Sequence, residues 1–189
     1  KFVLTHNLVV RANYVHHNDG AGLWADIDNH NALFEYHHTA SNRGVGIVYE
    51  ISFGAIIRYN IVENETWPEP FTDGDPYFGA GIYISEGTDV EIYGNSVINC
   101  RNGILGRRQA RGTDVNGVPR ILKNLYVHDN NILQVARGLA AGIVSDTPVP
   151  QDAFMPALNN RFRHNTYQLL DVNGFYFTWQ GFKNKDTWR

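Results

Sequence analysis

Apolar and polar residues alternate along this chain in short bursts, and the bursts recur. LVVRANYV (8–15), LFEYHHT (33–39), IIRYNIV (56–62), EIYGNSV (91–97), YVHDNNI (126–132) and FRHNTY (162–167) share one template. One apolar column reads Val10, Phe34, Ile57, Ile92, Val127 and Phe162. Three residues after each stands Asn13, His37, Asn60, Asn95, Asn130 or Asn165. The column advances by 24, then 23, then 35 residues three times, so each of the last three intervals holds about a dozen extra residues. A second column follows glycine: Leu23, Ile47, Ile82, Ile104 and Ile143, each opening an alternating run such as LWADID, IVYEIS or IYIS. Period-two runs bounded by Asn and Gly are strands and turns. No stretch shows helical periodicity of useful length.

These elements predict an all-β chain folded as a right-handed parallel β-helix, a solenoid of about six coils with three parallel sheets. Each coil adds one strand to each sheet, about 4.8 Å above the last. The Asn column has a physical reason. A tight turn between two sheets buries backbone groups, and an Asn side chain bonds backbone and tolerates left-handed geometry. Stacked Asn side chains then also bond one another along the axis. His37 interrupts the column but keeps hydrogen-bonding capacity. A leucine-rich repeat has a similar period but needs a recurring Leu frame that is absent. The coils are expected over residues 1–170, with 171–189 as a C-terminal capping segment.

With this template, the chain resembles the pectin-lyase-like superfamily of right-handed β-helices from about Phe2 to Asp171. GLWADIDN, GIVYEIS and IIRYN look like a bacterial branch of β-helix repeat proteins, and FYFTWQGFKNKDTW looks like the C-terminal segment of such chains. That superfamily holds lyases, hydrolases, epimerases, tailspikes and adhesins, so the resemblance implies a fold rather than one activity. Its members usually begin with an N-terminal cap, whereas FVLTHN (2–7) already reads as the strand of an earlier coil. An uncapped coil exposes core and unpaired backbone. The expectation is therefore a missing N-terminal region, or another chain covering the first coil.

Composition narrows the function. An apolar fraction of 43% fills a core, so the chain is not disordered. A net charge of −3 without a basic tail argues against nucleic acid, and no apolar run is long enough to span a membrane. Cys100 is the single cysteine, so there is no internal disulfide. The resemblance implies an extracellular or periplasmic location.

Alternation places Leu23, Ala25 and Ile27 inward and Trp24, Asp26 and Asp28 outward. Carried through the repeats, one outward column is Asp26, Glu50, Ser85, Arg107 and Asp146. Its neighbour is Trp24, Val48, Tyr83, Leu105 and Val144. Adjacent rungs put Asp26 and Glu50 about 5 Å apart at the backbone, where like charges repel and one pKa rises unless a cation intervenes. The alternative is solvated carboxylates pointed apart, with Asp28 capping the turn at Asn29. Insertions at 66–78, 109–120 and 147–158 all border this sheet, and long loops on one face of a solenoid build a groove. Trp67, Phe71, Tyr77 and Phe78 are candidate walls.

A groove floored by Trp24 and Tyr83 suits a sugar chain, because aromatic faces pack on the apolar faces of pyranose rings. Arg101, Arg107, Arg108 and Arg111 cluster beyond the acids and suit a uronate or sulfate. They also suit simple charge balance. Arg11, Glu35 and Arg58 stack in order on another sheet and read as structural ion pairs. Trp24, Tyr83, Asp28, Arg108, Asp146 and Trp67 are the candidate substrate-binding residues, and Asp26, Glu50 and Arg107 the candidate catalytic ones. For a hydrolase, Asp26 and Glu50 are the acid and its partner, nearer the retaining separation of about 5 Å than the inverting one. For a lyase, as the resemblance implies, the acids hold Ca²⁺ against a uronate and Arg107 is the base. No cofactor is called for beyond such a Ca²⁺ bridged by Asp26, Asp28 and Glu50. The eight histidines form no column of three, so zinc and copper are poorly supported. The DGD at 73–75 lacks the spacing of a calcium loop. The reading is a carbohydrate-active β-helix degrading an extracellular polysaccharide. The alternative is a non-catalytic glycan-binding or structural module of tailspike or adhesin type.

Overall fold

In the computed structural model, which describes residues 1–66, 79–133, 138–146 and 151–188, the alternating runs become strands of three stacked sheets. The first sheet stacks Val9–Arg11, His30–Glu35, Phe53–Arg58, Thr88–Tyr93, Tyr126–His128 and Arg161–Arg163, all parallel. The second stacks Tyr14–His16, His38–Ala40, Ile61–Glu63, Ser96–Ile98, Asn131–Leu133 and Thr166–Gln168. The third holds Leu23–Asp26, Ile47–Glu50, Ala80–Ser85, Asn102–Arg108, Ala141–Ser145 and Phe177–Thr178, closed by antiparallel Phe182–Lys183. The chain is a parallel β-helix. Its expected cap is still partly solenoid, since Phe177–Thr178 adds one more parallel strand beside Ala141–Gly142.

The first apolar column is in register along its whole length, Val10 opposite Phe34, then Ile57, Ile92, Val127 and Phe162. Its middle members, Phe34, Ile57, Ile92 and Val127, are wholly buried and form the core with Ile47, Ile82 and Ile104 from the third sheet. Burial inside a closed coil explains the recurrence: each rung must supply apolar area to the rung above and below.

The Asn column forms a continuous ladder. The backbone N–H and Nδ2 of Asn60 both donate to Oδ1 of Asn95, at 3.0 and 2.9 Å. Asn95 repeats this toward Asn130 and Asn130 toward Asn165. His37 keeps the ladder intact, because its N–H donates to Asn60 Oδ1 and its Nδ1 accepts from the N–H of Asn13. The left-handed residue of this corner is the one before the Asn, not the Asn itself. Ala12, Tyr36, Tyr59, Gly94, Asp129 and His164 have φ between 51° and 65°. The Asn side chain thus satisfies backbone groups, while its predecessor makes the turn.

One inward assignment and one register are corrected. Ile27 does not continue the alternation of Leu23 and Ala25: its φ of 60°, followed by 53° at Asp28, turns the chain and leaves the Ile27 side chain exposed. In the last full rung of the third sheet, Ile104 faces Ala141, and Ile143 lies beside Gly106. The register is displaced by two residues from the glycine-based alignment. A two-residue shift preserves which side chains face inward, so alternation cannot detect it. Close packing sets it: a Cβ on Gly103 would meet the Ala140 carbonyl oxygen at 2.1 Å.

Candidate functional site

The outer face of the third sheet carries the two columns read from the repeats. Trp24, Val48, Tyr83 and Leu105 are in register, as are Asp26, Glu50, Ser85 and Arg107. At the next rung Arg107 faces Val144, so Asp146 falls past the column. Val48, Tyr83 and Leu105 pack with Val45, Ala80 and Leu139 into a second apolar cluster outside the coil core, with Trp24 at its edge. A cavity of about 330 Å³ opens over this surface. Trp24, Glu50, Tyr83, Arg107, Gln109 and Arg111 are among its walls. Of the candidate residues, the structure therefore brings together Trp24, Glu50, Tyr83 and Arg107. Trp67 lies outside the described residues, as do Phe71, Tyr77, Phe78 and the DGD at 73–75.

The repulsion expected between the stacked acids is answered by cations. Lys1 Nζ lies 2.6 Å from Asp26 Oδ2, and Arg111 Nη1 donates to Glu50 Oε1 at 2.8 Å. Arg120 grips Asp28 with both arms, Nε to Oδ1 at 2.9 Å and Nη2 to Oδ2 at 2.6 Å. Two of these three cations come from the 109–120 insertion, which reaches back over rungs made by residues 61 and 92 positions earlier. A local turn shapes that loop: Asp114 Oδ1 accepts from the backbone N–H groups of Asn116 and Val118, and Thr113 bridges Pro119. Those N–H bonds hold the Asp114 carboxyl below its ordinary value.

Several assignments change. Asp28 is buried against Arg120 and does not line the cavity, so it is a latch for the loop rather than a substrate contact. Arg108 is likewise buried, bonding Glu86, Asp152 and the Gln109 carbonyl. Asp146 holds Arg107 in a bidentate pair at 2.9 and 3.1 Å and does not line the cavity. That pair stabilises the charged guanidinium, which opposes the base role for Arg107; its Nη1 also donates to the Tyr83 hydroxyl at 3.2 Å. Asp26 is buried beneath the surface and absent from the cavity walls, so the two-carboxylate hydrolase pair does not face one space. Asp26, Asp28 and Glu50, the residues of the expected calcium bridge, are each paired with a different cation, Lys1, Arg120 and Arg111. Among the described residues no three His, Cys, Asp or Glu side chains converge as a metal group. His16 and His17 do meet, Nδ1 to Nδ1 at 2.8 Å, because the φ of 54° at His17 breaks the strand alternation. The Arg11–Glu35–Arg58 trio is structural as read: Glu35 is buried between both guanidinium groups, and Arg58 continues to the Tyr93 hydroxyl.

Glu50 is the acid left at the cavity. Burial first and the Asp26 charge second push its carboxyl above the usual range, opposed by Arg111 and by the nearby Trp24 indole. Between the ordinary and raised values the folded state keeps a proton that the unfolded chain releases. This group's contribution to stability therefore falls as pH rises through that window. Arg111→Ala is expected to raise the Glu50 pKa further, read by carboxyl carbon shifts in an NMR titration. An unchanged midpoint would mean that the Arg111 contact does not form in solution.

Gln109, Arg120 and Glu86 were not singled out from the sequence. The available signal was QARGTDVNGVPR itself, where Arg111 and Arg120 bracket a turn sequence. Which acids they reach depends on how the coils stack. No helix among the described residues is long and apolar enough to cross a membrane. A family model described as a right-handed beta helix region matches residues 1–97 of the 189. No curated protein and no solved structure matches the chain.

Proposed function

Because this chain belongs to the right-handed β-helix family, whose fold hosts many activities, we propose its function from the groove: it binds an extracellular polysaccharide over Trp24, Glu50 and Tyr83 and acts on it there. The observation that carries this reading is the sharing of one cavity by an indole, a phenol, a carboxylate and two guanidinium groups. Aromatic side chains take the apolar faces of sugar rings, while Glu50, Gln109 and the arginines bond hydroxyl or acidic substituents. Trp24 and Tyr83 stand two rungs apart, about 9.6 Å, so the surface runs along the solenoid axis and suits a chain rather than a single sugar.

Glu50 is the group suited to proton transfer, since burial and the Asp26 charge raise its carboxyl above the ordinary value. Arg107 and Arg111 supply fixed positive charge beside it. The reading implies secretion to an extracellular or periplasmic space, where such polymers are met. The rival is a binding module that uses the aromatics without turnover.

One experiment separates them. A panel of neutral and acidic polysaccharides is tested for binding by affinity electrophoresis and for new reducing ends or unsaturated products. Turnover that Glu50→Gln abolishes while Trp24→Ala weakens binding supports the enzyme. Binding without turnover that only Trp24→Ala or Tyr83→Ala weakens supports the module. Neither binding nor turnover across the panel, or activity indifferent to all three variants, would sink the groove.

A further inference from the structure

The insertion after Asn102–Arg108 folds back on itself as a hairpin. The Arg120 N–H donates to the Gly112 carbonyl and the Asp114 N–H to the Val118 carbonyl, both at 2.9 Å. Gly117, with a φ of 82°, helps to make the turn. Both ends of the insertion are tied at the corner that follows Ala80–Ser85. The Gln109 N–H donates to Glu86 Oε1 at 2.7 Å, and the Thr88 hydroxyl donates to the Ile121 carbonyl at 2.7 Å. Between these ties the hairpin reaches along the solenoid axis to the first two rungs, where Arg120 meets Asp28 and Arg111 meets Glu50.

The two pairs are unequal. The Arg120 and Asp28 side chains are 17% and 7% exposed and meet through two parallel bonds. The Arg111 side chain is 38% exposed and gives one nitrogen to Glu50. An exposed pair of this kind is worth little alone, because water screens it and a long side chain loses rotamer freedom in forming it. Its geometry depends on where the backbone holds Arg111, and Arg120 fixes that backbone. Its N–H bonds the Gly112 carbonyl, and its Nη1 donates to the Arg111 carbonyl at 3.4 Å. Gln109 Oε1 accepts from Arg111 Nη1 at 3.2 Å. Asp28 is well placed to act on this neighbourhood, since its N–H donates to the carbonyl of Ile51, the residue after Glu50. Glu50 faces Asp26 on the rung below and Ser85 on the rung above, with the Trp24 indole and Arg107 on the same cavity. Asp26 is held by Lys1, and Arg111 is the cation bonded to Glu50 itself.

We propose that Asp28 and Arg120 are positioning residues for Glu50: their pair clasps the hairpin along the groove and so holds the Arg111 guanidinium on the Glu50 carboxylate. This rests on the reading of Glu50 as the proton-transfer group and extends its machinery to a pair outside the cavity walls. With the clasp closed, Arg111 favours the ionised carboxylate. With it open, Glu50 is left to burial and the Asp26 charge and keeps its proton to higher pH.

The test is an NMR titration of the Glu50 carboxyl carbon in the whole chain, which needs no substrate. Asp28→Asn removes a negative charge near Glu50, so its direct field would lower the Glu50 midpoint, whereas lost positioning raises it. The expected result is a rise, in the same direction as Arg111→Ala. In the Arg111→Ala background the rise is expected to vanish, because the clasp then has nothing to position. The double variant Asp28→Asn/Arg120→Gln removes two adjacent charges whose fields nearly cancel at Glu50, and it leaves no unpaired guanidinium to disturb folding. It is expected to raise the midpoint as well, and again only with Arg111 present. A fall or no change in these variants, or a rise that persists without Arg111, would overturn the proposal. Should no polysaccharide be bound or turned over, the groove reading fails while the midpoints still decide the clasp.

Discussion

Asn95→Ala is expected to lower the unfolding free energy by about 3–5 kcal/mol, a large share of a domain's margin. Asn95 is wholly buried at the centre of the ladder. Its Oδ1 accepts from the N–H and Nδ2 of Asn60, and its Nδ2 donates to Asn130 Oδ1 and to the Ile57 and Tyr93 carbonyls. Alanine removes the side chain but leaves those partners buried, and an orphaned buried donor costs about 1–3 kcal/mol. His37 supplies the comparison: an imidazole at the same ladder position still accepts from below and receives nothing it cannot hold. Asn95→His should therefore lose less than Asn95→Ala in urea unfolding. Equal losses would mean that side-chain volume, not the ladder, holds this corner.

Arg108→Met is expected to cost about 1–1.5 kcal/mol more near pH 8 than near pH 5, because Glu86 loses the cation that lets it ionise inside the protein. Glu86 is wholly buried and pairs with Arg108 Nη1, and its Oε1 also accepts from the Gln109 N–H. Burial pushes its pKa up to about 7, against the pull of Arg108. Above its ordinary value the unfolded chain releases this proton while the fold retains it. The contribution is thus present at low pH and lost as pH rises toward 7. Without Arg108 the ionised form is worse still, so the pH-dependent part of the penalty should be near zero at pH 5 and grow as pH rises above 7. Unfolding curves at both pH values check this, and a pH-independent loss would assign the effect to packing of the Arg108 stem. Arg108 also holds Asp152 of the segment after the fifth rung, so the variant is expected to loosen that segment at either pH.

Periodicity made the solenoid legible because it is a local property. A rung that must bury the same face as its neighbours repeats the same residues, and Val10 to Phe162 marks that face without any knowledge of contacts. The columns holding Trp24 and Tyr83, and Glu50 and Arg107, followed from the same alternation and stand in register for four rungs. Three things were beyond it. The corner conformations broke alternation at Ile27, where a positive φ reverses the direction a strand would impose. The two-residue displacement at Ala141 is invisible to a period of two and was decided by the approach of Ala140 to Gly103. The fate of the acids depended on long side chains arriving from distant loops.

By itself, then, the sequence determined the coil, the ladder and which side chains line the outer face of the third sheet, because each follows from a repeat that neighbouring rungs must match. Only the tertiary structure decided that Arg120 closes on Asp28, Arg111 on Glu50 and Asp146 on Arg107, leaving Glu50 as the carboxylate at the cavity. Ion pairing joins charges wherever the chain brings them within a few ångströms, and a loop inserted into one coil is free to reach acids several rungs away.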